Sequence, residues 1–195
     1  MNVLNENKLS KKLLITGFVV YYLCLIILII FKFNAIPDDL RVSINPPKIR
    51  WIPFMSDGKI TIQSIFSLEY ILNIICYIPY GFYIYKLLEN KKIYLMIIFT
   101  FISSFCFEAF QYIIHLGTVD TGDLITNTLG GIIGIIIIHL LNKKLSPKFI
   151  NIVNIIIINI GILLIIYGII TTIPLFKLYF TPIGGDRPIW ELIKM

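Results

Sequence analysis

The sequence predicts an all-α integral membrane bundle of about five transmembrane helices with a cytoplasmic N-terminus. Three observations predict it. Of the 195 residues, 57% are hydrophobic and only 14% are charged, against about 25% charged in a soluble domain. The apolar residues gather in runs: Leu13 to Phe31 holds 19 residues without a charge, and Phe149 to Phe176 holds 28. About 18 apolar residues suffice to cross the hydrocarbon core, and a buried helix of a soluble protein is shorter and keeps a polar face. The third observation is the uneven placement of lysine and arginine along the chain.

The expected spans are about 13–31, 66–88, 93–115, 122–141 and 149–173, in a single membrane domain. Lys8, Lys11 and Lys12 precede the first. They suggest a signal peptide, but the run exceeds the usual ~7–15-residue apolar region and no A-x-A-like site follows. An uncleaved first span is expected. Residues 32–65 carry Pro37, Pro46, Pro47 and Pro53, which oppose regular helix. Arg50 and Trp51 suit a membrane–water interface, so this segment is expected to be interfacial. Short lysine-bearing turns, Glu89 to Lys92 and Asn142 to Lys148, join spans two to three and four to five. The tail, about 177–195, contains Pro182, Gly184, Gly185 and Trp190 and is expected outside.

Orientation follows from the positive-inside bias. With the N-terminus in the cytoplasm, Lys8, Lys11, Lys12, Lys86, Lys91, Lys92, Lys143, Lys144 and Lys148 fall inside. Only Glu6 and Glu89 join them, a net charge of +7 inside. The other eight bases and nine acids give −1 outside, in agreement with the overall +6. The basic total therefore reads as topology, and no nucleic-acid partner is implied. Cys24, Cys76 and Cys106 are odd in number, lie in apolar runs and lack metal-ligand spacing; they read as small buried hydrophobes.

Polar residues inside spans are costly and usually face the bundle interior or mark a functional site. Here they share a depth. Asn73 lies on span two, Glu108 and Gln111 on span three, Asp123 and Asn127 on span four. At ~1.5 Å rise per residue, most lie within roughly 10 Å of the outer boundary. Glu108 and Gln111 are i,i+3 and share a face. Asp120, Asp123, Asn127, Gly130, Gly131 and Gly134 step by three or four along one stripe. Its outer part is polar, and its glycines permit close helix packing in lipid. The expected binding residues are thus Asn73, Glu108, Gln111, Asp120, Asp123 and Asn127, with Gly130, Gly131 and Gly134 for packing.

Each has a plainer reading. Asp120 can sit in an exposed turn with Gly117 and Gly122. Asp123 can be a first-turn carboxylate favoured by the helix dipole. Asn73 and Asn127 can be interhelical hydrogen-bond donors. Glu108 is hardest to dismiss, because a carboxylate in lipid needs a partner or a proton. His115 reads as interfacial, and His139 has no evident partner. No G-x-S-x-G, H-E-x-x-H or phosphate-cradling glycine loop is present. No cofactor or metal is implied, although a carboxylate pair such as Glu108 and Asp123 admits acid–base work or cation binding.

The residues also resemble a family. Asn73 through Pro79 and Gly81 resembles the "N-x-x-x-x-x-P-x-G" segment of VanZ-like membrane proteins. Ser104, Glu108 and Gln111 resemble their "S-x-x-x-E-x-x-Q" segment, and Asp120 through Gly134 their "D-x-x-D-x-x-x-N-T-x-G-x-x-x-G" segment. Pro53-Phe54 matches a "P-F" element upstream. The four occur in order over about residues 50–140. Two positions depart: Gly117 and Thr118 stand where many relatives carry an Arg, and Gly122 where many carry an acid. The resemblance implies a bacterial cell-membrane location and an envelope role linked to teicoplanin, a glycopeptide acting on wall precursors. Three functions follow in order of preference. The first is an envelope factor that binds a lipid, a lipid-linked wall precursor or the drug. The second is a membrane enzyme using Glu108 and Asp123, and the third a small transporter. Against the third, the inner halves of the spans lack a polar path.

Overall fold

The computed structural model describes residues 3–30, 49–56, 58–88, 91–113, 119–142 and 144–180. Among the described residues, five helices are long and apolar enough to span a membrane. They are α1 (Val3–Ile30), α3 (Leu68–Leu87), α4 (Ile93–Ile113), α5 (Thr121–Leu141) and α6 (Pro147–Phe180). Between α1 and α3 lie β1 (Ile49–Arg50), β2 (Met55–Ser56), β3 (Lys59–Ile60) and the single-turn α2 (Ile62–Ile65); β4 (Val119–Asp120) leads into α5. Lipid offers no hydrogen bonds, so each crossing segment closes its backbone bonds within a helix.

Several bounds differ from the sequence reading. The helix α1 begins at Val3, well before the apolar run, so its first turns carry the lysines. The helix α6 continues to Phe180, so residues 177–180 are helical and do not belong to a tail. Within the segment expected to be interfacial, residues 49–56 and 58–65 carry the short strands and α2. The rest of the 32–65 segment, the tail beyond 180, His115, Gly117 and Thr118 lie outside the described residues.

The helices alternate in direction. Contacts Ile74–Gly130 and Ile78–Gly134 make α3 and α5 parallel. Thr100–Gly131 and Ser104–Asn127 make α4 antiparallel to both. Ser10–Asn151, Leu13–Asn154, Val20–Gly161 and Ile27–Gly168 make α1 and α6 parallel at a constant offset. Five crossings in alternation require this last pairing. Lys11, Lys12, Lys86, Lys91, Lys92, Lys144 and Lys148 consequently gather at one end of the bundle. The starts of α3 and α5 and the end of α4 form the other.

The tightest seam joins α3 and α5. A Cβ built on Gly134 would lie 2.1 Å from the Ile78 carbonyl oxygen. One on Gly130 would lie 2.3 Å from that of Ile74, and one on Gly81 2.1 Å from that of Gly131. Only glycine allows backbones this close. Gly131 itself faces Thr100 of α4.

A tyrosine ladder fills the interface with α1. Tyr77, Tyr80 and Tyr83 step by three along α3 and are buried. Tyr80 and Tyr83 meet Phe18, Tyr21 and Tyr22 of α1 with tilted rings 5.6 to 6.1 Å apart, and Tyr77 adjoins Tyr80 at 5.3 Å. Pro79 lies inside α3 and has no amide hydrogen for the preceding turn. The Tyr21 hydroxyl donates to the Cys76 carbonyl in that turn. Asn154 clamps α6 to the rest: its Oδ1 accepts from the Tyr83 hydroxyl (2.7 Å), and its Nδ2 donates to the Leu13 carbonyl (2.7 Å). Of the cysteines only Cys24 is buried. Cys106 is exposed on a helix face that lipid can cover, contrary to the sequence reading. His139 does have a partner: its Nδ1 lies 3.2 Å from the Tyr85 hydroxyl.

Candidate functional site

The site is assembled at the end opposite the lysines. Its outer layer is a strap. The strand β1 pairs in parallel with β4, which sets Arg50 beside Asp120. The Thr121 hydroxyl reinforces this by donating to the Arg50 and Trp51 carbonyls, both at 3.0 Å. The strap then folds into the β2–β3 hairpin. Gly58 takes a φ of 77° in that turn. Phe54 takes a φ of 62°, a conformation that costs a non-glycine residue about 1–2 kcal/mol. Two contacts hold it there: its carbonyl accepts from the Ser64 hydroxyl at 2.6 Å, and its ring meets Tyr70 edge-on at 5.1 Å. Thr61 and Ser64 form a capping box that starts α2, and Ser67 caps α3.

Asp120 is the hub. The plainer sequence reading put it in an exposed turn, yet it is 1% exposed. The reason is the strap, which covers the start of α5. Its Oδ1 accepts from the Gly122 amide at 2.7 Å and caps α5. Its Oδ2 accepts from the Tyr70 hydroxyl at 2.9 Å and from Arg50 at 3.1 Å. The Arg50 side chain is 49% exposed, so the pair runs from the buried carboxylate to the surface. Gly122 has a packing reason of its own: a Cβ there would lie 2.7 Å from the Tyr70 hydroxyl. An acidic side chain at this position would displace Tyr70 from Asp120.

Beneath Asp120 lies a layer from three helices. Glu108 of α4 is buried, and its Oε2 accepts from the Asp120 backbone amide at 2.9 Å. This ties the end of α4 to the start of α5. Asp123 is buried in the first turn of α5, where the helix dipole favours a carboxylate; its Oδ1 accepts from Asn73 Nδ2 of α3 at 2.8 Å. Gln111 is 1% exposed on the same α4 face as Glu108. One turn deeper, Asn127 donates from Nδ2 to the Ser104 hydroxyl at 3.1 Å, and its Oδ1 accepts no hydrogen bond among the described residues. Asn73 and Asn127 thus bond across helices. The structure brings all six polar residues expected from sequence to this end of the bundle.

The arrangement has a definite chemical character. Buried carboxylates are costly unless hydrogen-bonded, and here a guanidinium, a phenol, an amide side chain and backbone amides serve them. Glu108 and Asp123, considered together for catalysis, bond different partners. Among the described residues no group of three His, Cys, Asp or Glu side chains is placed to hold a metal ion. A cavity of about 570 Å³ opens beside Arg50 and Tyr70. Lys59, Glu69, Gln63 and the hydroxyls of Thr61, Ser64 and Ser67 line it, with Phe54 and Met55 as apolar wall.

Sequence reasoning missed Arg50 and Tyr70 as site residues. Their signal is faint, because both reach Asp120 across long stretches of chain. Arg50 stands just before Pro53-Phe54, and that neighbourhood was the available hint.

Fold and site together define a multi-pass helical membrane protein with a buried carboxylate cluster sealed by a polar strap at one end. The VanZ/LLP1 family model matches residues 18–142, and this chain belongs to that family. It is similar to Protein VanZ of Enterococcus faecium, with 31% identity over 157 residues, 80% of this chain and 90% of that protein. No solved structure matches it.

Proposed function

We propose that this protein is an envelope factor of the bacterial cell membrane, linked to glycopeptide (teicoplanin) resistance. It acts by binding a lipid, a lipid-linked wall precursor or the drug near the outer leaflet. The carrying observation is the cavity beside Arg50, a half-exposed cation anchored on the buried Asp120. The cavity is large enough for a headgroup or a sugar–peptide fragment. Its hydroxyls and amide suit a polar ligand, and its two cations suit an anionic one. The family membership supports the link to resistance. The gathering of lysines at the opposite end supports an outward cavity, because cytoplasmic ends carry the excess of Lys and Arg.

Teicoplanin susceptibility of cells expressing the chain tests this. Arg50→Gln, Glu108→Gln and Asp123→Asn are compared with wild type, with membrane abundance measured by immunoblot. Wild type is expected to lower susceptibility. Arg50→Gln is expected to lose most of that effect at unchanged abundance, since its exposed ion pair contributes only about 0–1 kcal/mol to stability. Wild-type resistance in the Arg50→Gln variant would remove the cavity from the account. No effect of wild type itself would sink the resistance link.

A further inference from the structure

The lysine-rich end holds a second cavity. It measures about 510 Å³ and lies between the start of α1, the end of α3 and the start of α6. Lys11, Lys86 and Lys91 line it, with Ser10 and Asn151. No acidic side chain is among its described lining residues. Two contacts fix its walls: Ser10 donates to Asn151 Oδ1 at 3.1 Å, and Lys86 Nζ donates to Asn142 Oδ1 at 2.6 Å. The second holds the Lys86 ammonium at the close of α5. Leu14, Leu87, Leu88 and Ile150 form the apolar side.

Three ammonium groups around one cavity repel one another, and a shared anion turns that repulsion into attraction. The group must be compact and multiply charged or multiply accepting, since ammonium donors act as point charges. A phosphate meets both conditions. Leu14 and Ile150 lie about one turn inward of Lys11 and Pro147 along α1 and α6, on the side from which an acyl chain would approach.

We propose that this cavity binds a phosphate group, carried by an anionic lipid headgroup or as free phosphate. The apolar wall favours the lipid. A cytoplasmic-leaflet lipid rests on the orientation given above; the binding itself does not, and the test is independent of orientation.

The test uses the full chain purified in detergent and native mass spectrometry with phosphatidylglycerol and phosphatidylcholine at equal concentration. Wild type is expected to retain phosphatidylglycerol preferentially. The triple variant Lys11→Gln, Lys86→Gln, Lys91→Gln is expected to lose that retention about tenfold or more, given the usual contribution of each lysine at an anionic surface. Lys12→Gln, Lys144→Gln, Lys148→Gln removes the same charge at the same end but outside the cavity lining, and is expected to retain the lipid. Should the first triple variant fail to fold, Leu14→Trp fills the cavity with every lysine in place and is expected to reduce retention. Added inorganic phosphate separates the sources. Displacement of the lipid, or protection against thermal unfolding by phosphate alone, assigns free phosphate as an occupant; absence of both assigns the lipid. The proposal is overturned if wild type shows no preference for phosphatidylglycerol and no protection by phosphate. Equal loss in the two triple variants overturns it as well.

Discussion

Asp120→Ala is expected to destabilise the bundle by about 3 kcal/mol, from three separable losses. The α5 N-cap disappears, at about 1 kcal/mol. The Tyr70 hydroxyl, in a residue 5% exposed, loses its acceptor, at about 1–3 kcal/mol. Arg50 loses its partner at little cost, because it is half in solvent. The sum corresponds to a fall in melting temperature of roughly 6–12 °C in detergent for a chain of this size. Asp120→Asn keeps Oδ1 for the cap and places Nδ2 where it donates to the Tyr70 oxygen instead of accepting from it, and is expected to lose less than half as much. An alanine variant that melts with wild type would show that the strap and cap do not hold this end together.

Gly134→Leu is expected to have the larger effect, because the obstruction is backbone. The Cβ would lie 2.1 Å from the Ile78 carbonyl oxygen and 3.1 Å from Gly81 Cα. Neither atom can rotate away, so α3 and α5 must separate along their most extensive seam. Overpacking of a well-packed core costs about 1–3 kcal/mol, occasionally more, and a helix-wide separation belongs at or beyond the top of that range. The variant is expected to fail to accumulate in the membrane. Ile137→Leu, three residues on and facing outward, is expected to accumulate like wild type. Normal accumulation and melting of Gly134→Leu would mean that the two helices are not in contact there.

These two effects mark what was legible in the sequence. The bundle was legible because lipid imposes long uncharged runs, and such runs need no tertiary information. The glycine stripe on α5 was legible from spacing alone, but its partner was not. Gly81 and the carbonyls of Ile74 and Ile78 become a groove only when α3 and α5 lie parallel. The depth coincidence of Asn73, Glu108, Gln111, Asp123 and Asn127 needs only helix rise and turn positions. The role of Asp120 could not be read this way. Its burial depends on a two-residue parallel ladder with Ile49–Arg50, a pairing across about 70 residues that leaves no periodic trace. Asn154 was hidden for another reason. It lies in an Ile- and Asn-rich run where composition masks the asparagine that is buried against α1. The helix bounds at Val3 and Phe180 were missed because a helix can continue beyond the hydrocarbon, while apolar runs mark only the hydrocarbon.

The proposed function requires that the carboxylate cluster and its strap face the outside of the cell. Trp51 reports on it directly: it is 74% exposed, adjoins Arg50, and its carbonyl accepts from Thr121 without involving the ring. The measurement is labelling of Trp51→Cys, with Cys24, Cys76 and Cys106 replaced by serine or alanine, using a membrane-impermeant maleimide on intact cells. The account predicts full labelling without permeabilisation, and none at a cysteine placed at Lys144. Labelling of Trp51→Cys only after permeabilisation would put the site in the cytoplasm and contradict the account.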